Sequence, residues 1–184
     1  MVPALRFAWH QYQQRLRCVL GSKSCFVRIG ALFMSTSYSV CNECVVLNKF
    51  DTARSGSPIC GRCKKPLPIT SAVTEATDKG LQRLIESSPI SVVVDFWAPW
   101  CGPCKSFAPT FASTAARRLG TSVFAKINTQ TEAGAAQAHG IRGIPTLIVF
   151  HKGKEVARTS GALDQNSLDR WLNDGGRAMA QEAK

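Results

Sequence analysis

The sequence predicts an α/β protein, a mixed central sheet flanked by helices, with a small cysteine-bounded module ahead of it. Three observations carry this reading. From about residue 70, short β-branched apolar runs alternate with segments of helical period. Before that point the chain is organised by cysteines: Cys41 and Cys44, then Cys60 and Cys63, each pair in Cys-x-x-Cys spacing. The last two strands are separated only by Lys152-Gly153, too short for a crossover, so they must run antiparallel and make the sheet mixed.

The elements follow in order. Thr77 to Ser87 suits a helix, with Leu81, Leu84 and Ile85 on one face and Thr77 as N-cap. Ser91 to Trp97 is a nearly continuous apolar run, the pattern of a strand buried on both faces. Pro103 to Leu119 reads as a helix ending at Gly120, with Phe107, Phe111, Ala115 and Leu119 on one face. Pro109 inside it predicts a kink, because proline removes a donor and crowds the preceding turn. Val123 to Ile127 is a strand, and Thr131 to His139 a short helix closed by Gly140. Thr146 to Phe150 and Lys154 to Thr159 form the hairpin. Asp164 is placed to cap a last helix that buries Leu168, Trp171 and Leu172.

Composition narrows the class. The chain has 184 residues, 45% of them apolar, enough for one ordinary domain and something smaller. No apolar run approaches the roughly 18 residues that cross a bilayer, so no membrane association is expected. The net charge is +11, and the basic excess lies mainly before residue 70. That region lacks the interleaved aromatics of a single-strand binder and reads as a solvated basic face, so nucleic acid is not expected as a partner. The eight cysteines fall mostly in Cys-x-x-Cys pairs rather than in a secreted disulfide framework. Metal binding and thiol redox chemistry both use that spacing, and both fit a reducing, cytoplasmic compartment.

The third pair, Cys101-Gly102-Pro103-Cys104, sits where a buried strand hands over to a helix. A first helical turn offers free backbone N–H groups and the positive end of the helix dipole. A thiolate there is stabilised, which marks Cys101 as the nucleophile and Cys104, one turn on, as the resolving thiol. Pro103 fits early in a helix, where its missing N–H costs nothing. Half a metal site and two inert thiols are the other readings of a lone pair. The strand before, the helix after and the adjacent Trp100 favour redox chemistry. Asp95 stands in the middle of Val92-Val93-Val94-Asp95-Phe96-Trp97, where burial should raise its pKa. Its functional reading is a general base for Cys104; its plain reading is an edge-strand acid facing water. Ile144-Pro145-Thr146 opens a strand.

Together these residues resemble the thioredoxin family over roughly residues 70–175. Asp95 to Lys105 is similar to its active-site stretch, Gly143-Ile144-Pro145-Thr146 to its cis-proline loop, and Pro109 to the proline of its second helix. The resemblance implies a thioredoxin fold, a cis Pro145 beside Cys101, and a groove around Trp100, Ile144 and Pro145 that accepts extended peptide. It implies that disulfide-containing proteins are the substrates. An NADPH-dependent thioredoxin reductase would be the electron donor, so no nucleotide binds this chain. Lys126 resembles the lysine that accompanies the buried acid. Thr129 departs from the family, many of whose members carry an acid there, and this leaves the partner of Lys126 open. Gly102-Pro103 resembles the reducing members rather than the oxidising ones. A monomer is expected.

Cys41, Cys44, Cys60 and Cys63 have the spacing of a zinc ribbon, in which four thiolates leave no open position and the single zinc ion is structural. Asn42 and Gly61 lie inside the two knuckles, where tight turns suit them. Disulfides or free thiols are the alternative. A zinc ribbon ahead of such a domain resembles the zinc-containing thioredoxin 2 type, in which zinc loss accompanies cysteine oxidation. The expected boundaries are 34–66 for the ribbon and 70–180 for the thioredoxin domain, joined by Lys64-Lys65-Pro66-Leu67-Pro68 as a stiff linker.

Residues 1–33 carry Arg6, Arg15, Arg17, Lys23 and Arg28 and no acid. They read as an over-extended start ahead of Met34 or a disordered tail, though their composition also suits a transit peptide. On the first two readings Cys18 and Cys25 have no assigned role. The competing function is a zinc-ribbon binding module that holds a nucleic acid or protein partner through the basic N-terminal region.

Overall fold

A computed structural model describes residues 36–52, 56–70 and 72–182, with side chains up to residue 174. The extension over 1–33, with Cys18 and Cys25, lies outside the described residues.

Eight strands and four helices are described. β1 (Thr36–Val40) and β2 (Leu47–Asp51) form an antiparallel two-stranded sheet around the first cysteine pair. The main sheet holds β3 (Ile69–Thr70), β4 (Val73–Glu75), β5 (Ser91–Trp97), β6 (Ser122–Asn128), β7 (Thr146–His151) and β8 (Lys154–Ser160), in the order β3-β4-β6-β5-β7-β8. β6 lies parallel to both β4 and β5, whereas β7 is antiparallel to β5 and to β8. The helices are α1 (Asp78–Ser87), α2 (Gly102–Arg117), α3 (Ala133–Ala138) and α4 (Gln165–Glu182).

Local chemistry sets these limits. α1 starts where the Thr77 hydroxyl accepts the Gly80 N–H at 3.2 Å, and it stops at Ser88, just before Pro89. α4 starts where Ser167 N–H donates to Asp164 Oδ1 at 3.0 Å. The β7–β8 turn takes a positive φ at both Lys152 and Gly153, the backbone that matches strand twist in a two-residue hairpin. A register shift at Val149/Phe150 interrupts that hairpin. Pro109 lies inside α2, as expected.

The side chains of the sheet alternate between two cores. Val92, Val94 and Phe96 of β5 join Leu81, Leu84 and Ile85 of α1. Val93 joins Phe107 and Phe111 of α2 and Leu168 and Leu172 of α4. Each fully buried Leu or Phe contributes roughly 1.5–3 kcal/mol relative to exposure. By the same alternation Asp95 points to the α2 side of the sheet.

Two features differ from the sequence reading. β3 and β4 were not expected. Three residues are too few to show a period, and β4 is fixed instead by pairing of Val73 with Phe124. The segment read as a stiff linker is packed: Leu67 is buried against Cys41 and Cys60, and its N–H donates to the Pro58 carbonyl at 2.9 Å. Proline restricts the backbone but does not forbid packing, and Leu67 supplies the apolar surface.

Candidate active site and metal centre

The strand β5 ends at Trp97, and a short turn delivers Cys101 as the N-cap of α2. Cys101 has extended backbone, and its Sγ accepts the Cys104 N–H at 3.2 Å. That N–H is one of the helix-start donors with no partner inside the helix, so sulfur at this position gains what a thiolate needs. Gly102 and Pro103 fill the first turn. Cys101 and Cys104 are joined in a disulfide, with Cα atoms 5.3 Å apart. Both are enclosed, 4% and 2% exposed. Position rather than exposure therefore distinguishes them: Cys101 is the one placed at the helix-start N–H.

The loop before β7 closes over this sulfur. Ile144-Pro145 is a cis peptide, and the Ile144 carbonyl oxygen lies 3.8 Å from Cys101 Sγ. Thr146 Oγ1 donates to the Gly143 carbonyl at 2.7 Å, and Gly161 N–H donates to the Pro145 carbonyl at 2.8 Å, bracing the loop from both sides. Beside it Trp100 stands 70% exposed, a large apolar surface next to the disulfide. An exposed indole beside a backbone-lined loop is suited to an extended peptide.

Asp95 is buried in β5 between β6 and β7, not on an edge. Its Oδ1 has no hydrogen-bond partner. Burial pushes its carboxyl up to about 7, against the opposing pull of the Lys126 charge. Lys126 stands opposite Asp95 in register but pairs with Glu75 at 2.9 Å and lies 5.1 Å from the centre of the Trp97 ring. The sequence reading left the lysine's partner open, and Glu75 escaped it because β4 is too short to be recognised. Thr129 serves the backbone instead, its hydroxyl donating to the Trp97 carbonyl at 3.1 Å.

The four remaining described cysteines meet in one cluster. The Sγ atoms of Cys41, Cys44, Cys60 and Cys63 all lie within 4.8 Å of one another, and all four thiols are free. Cys41 and Cys63 are 3.5 Å apart, and Cys44 and Cys60 3.6 Å. Tetrahedral zinc with Zn–S bonds of about 2.3 Å sets sulfurs roughly 3.8 Å apart, so the residues fit that ion. The two knuckles repeat one geometry. Val45 N–H donates to the Cys41 carbonyl at 2.9 Å, and Lys64 N–H to the Cys60 carbonyl at 3.0 Å. The positive φ falls on Val45 and Lys64, at 55° and 63°, not on Asn42 or Gly61. Cys60 is drawn down to about 6, first by the Cys63 backbone N–H. Asn48, which the sequence reading missed, ties the knuckles together: its Oδ1 accepts Gly61 N–H at 2.9 Å and its Nδ2 lies 3.6 Å from Cys60 Sγ.

Comparison with known proteins agrees with this geometry. Residues 72–174 match the family model described as Thioredoxin. The chain is 38% identical over 135 residues to thioredoxin C-3 of Corynebacterium nephridii, which covers 73% of this chain and 92% of that protein. It is 41% identical over 107 residues to thioredoxin 1 of Synechococcus elongatus, covering 58% of this chain and 97% of that protein. It is 36% identical over 102 residues to thioredoxin of Porphyra purpurea, covering 55% of this chain and 95% of that protein.

Proposed function

Since the chain belongs to the thioredoxin family and is a thiol-disulfide oxidoreductase, we propose that it works in the reducing direction, on disulfides of other proteins, through Cys101 and Cys104. The observation that carries this reading is the Cys101–Cys104 disulfide at the start of α2, with Cys101 Sγ on the Cys104 N–H and the cis-Pro145 loop beside it.

In the reduced protein the Cys101 thiolate attacks one sulfur of the substrate disulfide. A mixed disulfide forms and the other substrate sulfur leaves as thiolate. Asp95, ionised, takes the proton of the Cys104 thiol. The Cys104 thiolate then attacks Cys101 Sγ, closes the intramolecular disulfide and releases the second substrate thiolate. The protein loses two electrons and the substrate gains them. Trp100, Ile144 and Pro145 hold the peptide, and Gly102 and Pro103 shape the first helical turn. Re-reduction falls to an NADPH-dependent thioredoxin reductase, as the family relationship implies.

In this reading Cys41, Cys44, Cys60 and Cys63 hold one structural zinc ion, as in the zinc-containing thioredoxin 2 type. Zinc would tie the knuckles together and take no part in the electron transfer. Residues 34–66 form the ribbon and 70–180 the redox domain. Four free thiols gathered at one point suit the cytoplasm. Among the described residues no helix is long and apolar enough to cross a membrane.

Insulin reduction by dithiothreitol tests the assignment. Catalytic amounts of the protein should bring turbidity forward, and Cys101→Ser should abolish the acceleration. No acceleration by the wild type, or full acceleration by the variant, contradicts the proposal.

A further inference from the structure

The register of the main sheet lines up three ionisable side chains. Glu75 on β4 stands opposite Lys126 on β6, and Lys126 stands opposite Asp95 on β5. All three point to the α2 side, because Val73, Phe124 and Val93, two positions before each, belong to the core on that side. Exposure falls along the row: the Glu75 and Lys126 side chains are 54% and 30% exposed, and Asp95 is 4% exposed. One cation thus stands between an outer carboxylate in water and an inner carboxyl in the core.

The cation is bound to the outer one. Lys126 Nζ lies 2.9 Å from Glu75 Oε1 and over the Trp97 ring, while Asp95 Oδ1 has no hydrogen-bond partner. Among the described residues, the elements packed on this face bring Asp95 no second charge: β7 places Leu147 opposite it, α4 contributes Leu168 and Leu172 to the same core, and α2, which starts at the Cys101–Cys104 disulfide, contributes Phe107 and Phe111. Lys126 is therefore the charged group that acts on Asp95, and Glu75 is the group that acts on Lys126.

We infer that Glu75 is a positioning residue for the redox reaction: it holds Lys126 on the solvent side, keeps Asp95 out of an ion pair, and so leaves that carboxyl free to take up and return a proton. The inference rests on the reading of Asp95 as proton acceptor for Cys104. An aspartate locked to a lysine stays ionised and is a weak base. A buried aspartate without a partner takes a proton readily, and such a group can both accept and return one at working pH. Removing the Glu75 charge acts on Asp95 in one direction by two routes. It deletes an anion that opposes ionisation of Asp95, and it leaves Lys126, still seated on Trp97, with Asp95 as its remaining carboxyl. Both lower the midpoint of Asp95.

The test is a pH titration of the Asp95 carboxyl by ¹³C NMR in the full-length oxidised protein, where no thiol of the redox pair titrates. Glu75→Gln should lower the midpoint by about half a pH unit. Glu75→Asp should stay near wild type, Lys126→Met should raise the midpoint, and Glu75→Gln should lower it by much less in the Lys126→Met background, where only the direct repulsion is left to remove. The acid limb of insulin reduction should move down with the midpoint in Glu75→Gln. A midpoint that is unmoved or raised in Glu75→Gln, while Lys126→Met still shifts it, overturns the positioning role. Separately, an acid limb that persists unchanged in Asp95→Asn overturns the proton-acceptor reading, which the carboxyl midpoint does not depend on.

Discussion

Asp95 places an ionisable group where its neighbours in the strand, Val94 and Phe96, are wholly buried. That has a consequence for stability. In the unfolded chain its pKa is about 3.9; in the fold it is pushed up to about 7. Below both values the carboxyl is protonated in either state and contributes no pH dependence. As pH rises between them, the unfolded state ionises while the folded state keeps its proton, so the fold loses stability, and above the upper value the loss is complete. The loss from this group is on the order of 4 kcal/mol at most. Guanidinium unfolding of the oxidised protein at pH 4 and pH 8 should show this decline in wild type and a flatter dependence in Asp95→Asn. An equal decline in both would contradict it. The sequence made this residue conspicuous, because an acid inside an otherwise apolar run is visible without coordinates. The left-handed backbone of Val45 was not, since β-branched residues avoid that conformation and nothing local announces it.

At the scale of elements, α1 and α3 exchange caps. Asp78, at the start of α1, accepts the Ala135 N–H through Oδ1 at 2.7 Å, and Glu132, just ahead of α3, accepts the Asp78 N–H through Oε2 at 2.8 Å. Each helix start is thus satisfied by a carboxylate from the other. The crossing is tight: a Cβ on Gly134 would stand 2.6 Å from Asp78 Oδ2. Gly134→Ala should therefore destabilise the protein by about 1 kcal/mol, the worth of a lost cap. In an Asp78→Ala background the clash is gone and alanine's helix preference is left, so the same change should stabilise by about 0.5 kcal/mol. Urea unfolding of the four proteins in this cycle checks it; additive effects would sink the exchange. Thr77 as the cap of α1 was readable, because that bond lies within one turn. The carboxylate exchange spans loops and strands, and no local pattern encodes it. The long strands and helices were legible through their periods, whereas β3 and β4 exist only through their partners.

In the molecule as a whole, the cysteine-bounded module is continuous with the main core. Val40 of β1 is 3% exposed among Leu81, Leu84 and Ile85, with Tyr38, Val45 and Leu47 packed around the same cluster. Spacing identified the module as a unit but could not say what it leaned on, since Tyr38, Val40 and Leu47 contact residues far along the chain. If zinc holds the knuckles, its loss should be felt in α1 and the sheet. Calorimetry of the full chain should show a lower Tm after treatment with a strong chelator, and Val40→Ala should cost about 2 kcal/mol. A redox domain that melts at the same temperature with and without metal would contradict this coupling. The margins of the sheet carry one more consequence. β3 is two residues long, and β8 is offset by the register shift and carries Lys154, Glu155 and Arg158. Short, kinked, charged borders give a passing chain nothing to zip onto. If its substrates are other polypeptides, as proposed, the protein can thus handle their sulfurs without being drawn into their aggregates.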